Sequence, residues 1–496
     1  MDTTASFSTT NGGDSSRSDV VEIAECDKAG NLKATYIESH PSSSSSATTP
    51  SNSRIDVFFP TAGKSLWQKL LVIFLPDGYP QSVTDDYTKY QIYDSLQAFA
   101  GSIAGMISSR AVWVGLGVGD ASASPTGAML IQIVRECMGK LATIVFAHSM
   151  GTAIEAECKM YRFKADVLCD AAMVLDCLSP LVPVLGMRVA VLCVSSVLYA
   201  AAGVAGGAAK SSLSGHFARW NNLGELNAKD GSQETMISLM GNMAGTAAMA
   251  FLSTPTATWL SLICLLVVHL VMNWIGVKAV KMRSLNRQRA NIVFSNLLDK
   301  NKVLDPAEVS QRESIFAKRG GSTLRGKNGT LIGHCDFGVS LQTLISSLSQ
   351  NGRHGKTGSS RLGPVDLSTL TRLFRHQGYL LWYERQSPRW NDTPSSTTRV
   401  LVVLKEEVTT EQQLRAWYHA LILARRVLDV TNSKMDASDS HEEQSLSHVG
   451  VTLDQVQASF DAHARRLRDV GWNLDIPVLE TCTGSRVIFG KTPNKS

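Results

Sequence analysis

Hydrophobic and polar positions divide the middle of this chain into an apolar band interrupted by one polar island. Val189 to Ala209 carries no charge, and neither does Thr235 to Val277. Between them lie Lys210, His216, Arg219, Asn221, Asn222, Glu225, Lys229, Asp230, Gln233 and Glu234. A helix needs about 20 apolar residues to cross a bilayer core. The first band predicts one span, and the second has the length of two with Pro255 at the natural break. This pattern predicts a protein in or on a membrane, with the island as the place where polar chemistry can sit.

The flanking regions read differently. Residues 1–53 are rich in Ser and Thr and predict a disordered tail, with structure beginning near Ile55. Two prolines and a glycine within Phe74–Pro80 predict a turn. Thr84 then caps a helix in which Tyr90, Tyr93, Leu96, Ala100, Ile103 and Ile107 recur at helical spacing. Residues 54–295 form the expected helical, membrane-associated domain, and 296–368 read as linker and loops. Residues 369–496 read as a soluble α/β C-terminal domain. It has a strand at Val400–Leu404, an amphipathic helix from Glu411 to Val427, a flexible insertion at 430–446, and a helix ending at Gly471. The expected fold class is mainly α.

Composition supports the membrane reading and excludes others. Charged residues are 18% of the chain, against about 25% for soluble domains, and the deficit lies in the middle. The net charge of +5 is too small, and too scattered, to imply nucleic acid. Nine cysteines without a CxxC pair predict neither a disulfide framework nor a metal site, and fit a reducing intracellular setting. The N-terminus shows no secretory signal, and its acidic residues disfavour a plastid transit peptide, so insertion is expected to use internal segments of an intracellular membrane. Lys278, Lys281, Arg283, Arg287 and Arg289 follow the second band and place residue 280 on the cytoplasmic side, or the side of insertion in an organelle.

Several motifs invite chemistry. Gly115-Leu116-Gly117-Val118-Gly119-Asp120 imitates a nucleotide loop without the GxGxxG spacing, and reads better as a helix break or glycine-lined contact. The pairs Gly101/Gly105, Gly203/Gly207 and Gly241/Gly245 have the spacing that lets helices approach closely in lipid. Leu141–Phe146 followed by Ala147-His148-Ser149-Met150-Gly151 resembles a nucleophile elbow, with Ser149 as nucleophile, although the preceding segments read as helix. Asp166 and Asp170 share a helical face, which serves cation or proton binding, or merely faces solvent or Arg162 and its basic neighbours. In the island, Asp230 and Gln233 read as a capping box with Glu234 favouring the helix dipole. Capping leaves Lys210, His216, Arg219, Asn221 and Asn222 unexplained, so the island from Lys210 to Glu234, including Lys229, is a candidate ligand or partner contact. Lys229 offers an amine for an aldehyde ligand, but no phosphate-anchoring loop accompanies it.

A family likeness runs through these same segments. Phe74-Leu75-Pro76-Asp77-Gly78-Tyr79-Pro80-Gln81-Ser82-Val83, Gly115–Ser122, Gly203–Ala208, Ala228–Thr235 and Leu285-Asn286-Arg287-Gln288-Arg289 together resemble the Root UVB Sensitive family, in the expected order over about residues 60–295. The resemblance implies a eukaryotic membrane-associated protein without agreed catalytic residues or cofactor. In plants its members are linked to UV-B responses of roots, vitamin B6 homeostasis and auxin transport. The expectation is therefore a non-enzymatic scaffold or transport-related protein. The alternatives are a binder or carrier of vitamin B6-type molecules and a serine hydrolase built on Ser149. Membrane lipid and another protein, a family member or a second copy, are the expected partners.

Overall fold

The computed structural model describes residues 20–26, 32–39, 54–58 and 73–489, apart from 120, 122–123, 151–152, 318–320, 327–328, 350–361, 364, 387–396, 434–440 and 482–483. They fall into two units. One comprises the residues up to Thr84 with Ala218–Asp230, and the other comprises Asp85–Phe217 with Gly231 onward.

The first unit contains an antiparallel sheet of β1 (Val20–Cys26), β2 (Leu32–Ser39) and β3 (Arg54–Phe58), in that order. This corrects the expectation of a disordered tail with structure starting near Ile55. β-formers scattered among the serines pair across strands, as Ile23 does with Tyr36, and the Tyr36 hydroxyl donates to Glu25 at 2.7 Å. The remaining tail positions lie outside the described residues.

The second unit opens with a helical region: α1 (Tyr87–Gly115), α2 (Pro125–Met150), α3 (Cys158–Leu178), α4 (Leu185–Phe217), α5 (Leu223–Met249, whose first residues belong to the other unit) and α6 (Pro255–Ala279). α1 packs on α6 and α3, and α4 packs on α3 and α2. Ala104, Ile107, Met173, Cys177, Leu262 and Leu266 form the apolar seam between α1, α3 and α6. The break at Pro255 is as the sequence predicts: α6 starts there, capped by the Thr254 hydroxyl accepting from Ala257 N at 3.2 Å. α1 ends at Gly115, where Gly117 (φ 91°) and Gly119 (φ 99°) turn the chain left-handed.

Three local readings are corrected. α5 already begins at Leu223, so Asp230 and Gln233 sit inside a helix and form no capping box. α1 begins after Asp86, and the Asp86 carboxylate turns instead to His216 at 3.0 Å and the Lys281 backbone N–H at 2.6 Å. The stretch before Ser149 is helix rather than strand, and the Ser149 hydroxyl donates to the Val145 carbonyl at 2.7 Å, so no nucleophile elbow exists. The glycine pairs divide as well. Gly241 and Gly245 lie against Ser102, Ile103 and Met106 of α1, and Gly101 lies against the His269 ring, whereas Gly105, Gly203 and Gly207 face nothing within 4 Å.

The rest of the second unit is a smaller sheet-containing region. α7 (Arg287–Lys300) and α8 (Pro306–Arg312) precede β4 (Thr323–Arg325), β5 (Leu331–Phe337), α9 (Leu341–Leu348), α10 (Leu367–Leu373), β6 (Tyr379–Gln386), β7 (Thr397–Lys405), α11 (Thr410–Ser433), α12 (His441–Asp469) and β8 (Arg486–Val487). The sheet order is β4-β5-β7-β6, with β8 also on β7. β5 and β8 run parallel to β7, and β6 runs antiparallel to it. Val400 to Leu404 are all buried, as an uninterrupted apolar run in a central strand requires. Trp417 of α11 is fully buried, and the core continues from Leu285 through Leu479. The stretch 296–368, read from its Gly and Ser content as linker, therefore supplies two strands of this sheet. Of the expected flexible insertion, α11 takes the part up to Ser433 and α12 starts at His441, while 434–440 lies outside the described residues. The chain is thus mainly helical with a smaller sheet-containing C-terminal region.

A Cβ at Gly241 would stand 2.6 Å from the Ser102 Cβ and 3.0 Å from the Phe99 carbonyl oxygen. Gly241→Ala is expected to destabilise by about 1–3 kcal/mol through overpacking. Gly207→Ala, which meets nothing, is expected to be neutral or stabilising by up to about 1 kcal/mol through helix propensity. Thermal unfolding of the two variants side by side checks this, and equal effects would show that the α1–α5 contact is not tight.

Candidate functional site

The helical region buries an unusual amount of charge. Arg162 of α3 places one guanidinium nitrogen 2.8 Å from Asp94 of α1 and another 2.8 Å from Asp166, one turn along its own helix. Asp166 also accepts from the side-chain amides of Gln97 on α1 and Asn273 on α6. His269 of α6 lies between two carboxylates: Nδ1 is 2.7 Å from Asp170, and Nε2 is 3.9 Å from Asp166. Lys210 of α4 reaches Asp94 at 3.7 Å and the exposed Glu234 at 2.8 Å. Alternating charges thus run Glu234, Lys210, Asp94, Arg162, Asp166, His269, Asp170, from the surface into the helices. Helical periodicity explains the geometry. Arg162, Asp166 and Asp170 recur every four residues, as do Tyr90 and Asp94 and as do His269 and Asn273, so each helix offers one polar stripe inward.

Around this network the helices present apolar side chains outward. Ile144 is 68% exposed and Leu260 65%, Phe251 in the turn after α5 is 84% exposed, and many large apolar residues of α1, α2, α5 and α6 are likewise exposed. Among the described residues, α4 and α6 are long and apolar enough to cross a membrane, by length and composition. Charged side chains thus lie inside this helical region and many apolar ones on its outside.

The sequence-predicted island is not brought together as one pocket. Lys210 and Glu234 join the network, and His216 pairs with Asp86. Glu225 accepts from the Asp77 backbone N–H at 2.5 Å and so fastens the Pro76–Pro80 turn of the first unit, and Lys229 donates to the Ile73 carbonyl just before it at 3.0 Å. Asn221 holds a positive φ of 56° at the turn before α5, which explains an asparagine there. Asp230 is buried, Arg219 is exposed, and neither amide atom of the Asn222 side chain has a partner among the described residues. Part of the island thus serves as fastening, and the densest polar cluster lies elsewhere. Sequence reasoning found Asp166 and Asp170 but missed Asp94, Gln97, His269 and Asn273. The available signal was a single polar residue at helical spacing on otherwise apolar faces.

A second charged cluster links the helical region to the sheet region. Glu313 is buried between Lys159 at 2.6 Å and Arg289 at 2.7 Å. Burial alone would raise its carboxyl, but Lys159 and Arg289 outweigh burial and hold it below the usual range. Asn286 caps α7 by accepting from Arg289 N at 2.9 Å, and donates to the Ala156 carbonyl at 3.0 Å. Arg287 donates to the Leu479 carbonyl at 2.6 Å. The Leu285–Arg289 motif is thereby a joint between regions. Beside it, burial pushes the Glu157 carboxyl up to about 7, against the attraction of Arg289 and with the repulsion of Glu313, and its Oε1 has no hydrogen-bond partner.

A further cavity of about 440 Å³ lies in the sheet region, lined by Trp382, Tyr383, Arg385 and Ser445 among others. Among the described residues no group of three or more His, Cys, Asp and Glu side chains is placed to hold a metal ion.

The folded state favours neutral Glu157. The stability this group allows is fully present below about pH 4.5 and is lost as pH rises through about 7. Glu157→Gln is therefore expected to be more stable than the unsubstituted chain above about pH 7, by roughly 1–3 kcal/mol, and equal to it below about pH 4.5. Denaturant unfolding at the two pH values checks this, and a difference independent of pH would contradict it.

Comparison with known proteins places the same regions. Residues 60–301 match a family model described as vitamin B6 photo-protection and homoeostasis domain, and residues 375–481 match one described as root UVB sensitive protein, C-terminal. The chain is 29% identical to protein root UVB sensitive 3 of Arabidopsis thaliana over 83% of this chain and 84% of that protein. It is 37% identical to RUS family member 1 of Dictyostelium discoideum, over 50% of this chain and 47% of that protein. Protein root UVB sensitive 2, chloroplastic, of Arabidopsis thaliana is 24% identical over 81% of each. No solved structure matches the chain.

Proposed function

The chain belongs to the root UVB sensitive family, and from that premise we propose that it is a transport-related membrane protein whose helical region carries a small polar solute. One observation carries the reading: a charged network buried among helices whose outer faces are apolar. Ionisable side chains are costly inside lipid and persist there when they serve a solute or ion path. A scaffold, the other non-enzymatic reading, needs an outer surface but gains nothing from Asp94, Arg162, Asp166, His269 and Asp170 in its interior. The solute class follows from the description of the matching family model, which names vitamin B6. B6 vitamers are small and polar, with a pyridine nitrogen and hydroxyl or aldehyde groups that an Asp, Arg and His network can hydrogen-bond. The polar residues at Lys210 and Glu234 then form the outer end of the path, which keeps part of the island in a ligand role. In this reading the protein sits in an intracellular membrane and performs no covalent chemistry.

The full chain is expected to stay in membranes through alkaline carbonate extraction. Reconstituted into liposomes, it is expected to give saturable uptake of labelled pyridoxine. Asp166→Asn should lower that uptake at least tenfold while the chain remains inserted. Release by carbonate, or uptake no faster than in empty liposomes, would sink the proposal.

A further inference from the structure

We propose that His269, set between Asp170 and Asp166, is a proton-binding site inside the helical region, taking up one proton from water and holding it as imidazolium. The inference deepens the transport reading by naming the ion that accompanies the solute, and only its role in transport rests on that reading.

The buried charges of the network do not balance. Three buried carboxylates, Asp94, Asp166 and Asp170, face two permanent cations, Arg162 and Lys210. Lys210 is also shared with Glu234, whose side chain is 55% exposed and has water to stabilise it. One negative charge is left over in the interior. An unbalanced buried charge is unfavourable, and proteins remove it by binding a proton or a counter-ion.

Geometry places that proton. Asp166 is fully engaged, since Arg162 serves Oδ1 while Gln97 and Asn273 serve Oδ2. Asp94 accepts from Arg162 at 2.8 Å and from the Tyr90 hydroxyl at 3.3 Å. Asp170 differs: it is 5% exposed, His269 is its hydrogen-bond partner through Oδ1, and its Oδ2 has none. A neutral His269 has one ring N–H. If Nδ1 uses it on Asp170, the Nε2 lone pair points into a region dominated by the Asp166 carboxylate 3.9 Å away. Adding a proton at Nε2 converts that repulsion into attraction and balances the count. No bond other than N–H forms, and the proton comes from bulk water.

The groups facing the ring are accounted for on every helix packed there. α3 supplies Arg162, Asp166 and Asp170. α1 supplies Asp94 and Tyr90 beyond Arg162, α4 supplies Lys210, and α6 itself supplies the neutral Asn273. At the ring edge α1 places Gly101, while its neutral Gln97 amide reaches the same Asp166 oxygen. Gly101 lies where a Cβ would stand 3.1 Å from both Nε2 and Cδ2 of His269. The glycine thus leaves the imidazole room between the two carboxylates.

The test uses the full chain in lipid nanodiscs, without added solute, with isotope-labelled histidine followed by NMR. His269→Gln identifies the resonance by its loss. His269 is expected to pass from imidazolium to imidazole as a single proton across the pH range scanned. Asp170→Asn and Asp166→Asn are each expected to weaken its proton affinity at least tenfold. Asp176→Asn, on the same helix but paired with Arg135 and Ser195, should leave it unmoved. Two carboxylate variants are used so that a folding failure in one leaves the other to decide. A His269 that stays neutral throughout in the unsubstituted chain overturns the proposal without any variant. So does a titration indifferent to both carboxylates, or a proton displaced when sodium replaces choline at fixed pH, which would make the site one for sodium. Because no solute is present, failure of pyridoxine uptake leaves this result standing, and failure of the titration leaves the uptake reading to its own test.

Discussion

The helical region depends on how one guanidinium is neutralised. Arg162 lies between Asp94 and Asp166, at 2.8 Å from each, and all three are buried. A buried pair of this kind adds little net stability over apolar packing, yet breaking it leaves an uncompensated charge. It therefore acts as a register device. α1 and α3 can slide past one another only by unpairing Arg162 from Asp94, and α6 is tied to the same point because Asn273 shares Asp166. The apolar seam of Ala104, Met173 and Leu262 is non-directional and would tolerate other registers. Attraction between the helices comes from packing, and the choice among packings comes from the charges.

The same logic recurs at the joint between the helical and sheet regions. Glu313 holds Lys159 of α3 and Arg289 of α7 together. Asn286 and Arg287 extend the joint to backbone carbonyls at Ala156 and Leu479. Five consecutive residues, Leu285 to Arg289, thus contact segments more than a hundred positions away on both sides. A contiguous motif results when a short segment serves as the hub between folded regions, and it signals assembly rather than chemistry. Glu157 departs from this pattern as the acid at the joint without a full set of partners, which is why burial dominates its proton affinity.

What the sequence revealed follows from which forces are local. The break at Pro255, the end of α1 at Gly115 and the central strand at Val400–Leu404 were legible because proline, glycine and continuous apolar runs act within a few residues. Asp230 with Gln233 imitated a capping box because capping residues also occur inside helices, where tertiary contacts decide the boundary. Ser149 imitated an elbow for a similar reason: small residues suit strained turns and helix ends alike. The strands of the N-terminal region were hidden because their β-formers are diluted by serine, and cross-strand pairing such as Ile23 with Tyr36 is invisible in composition. Asp166 and Asp170 were found as a pair at helical spacing. Their partners were not, since Gln97, His269 and Asn273 come from helices roughly seventy to a hundred residues away.

This difference explains why the polar island is the most recognisable part of the chain and yet not its chemical centre. Island residues fasten backbone far along the chain or turn it locally: Lys229 holds Ile73, Glu225 holds Asp77, and Asn221 turns the chain. Such roles demand particular residues side by side, so they print a readable string. A network inside a helical bundle demands about one residue per turn from each of several helices, so its members are dispersed along the chain among residues that take no part in it. Lys210 and Glu234 belong to both classes, since they close the island at the surface and begin the charged line inward. They connect the legible motif to the illegible network.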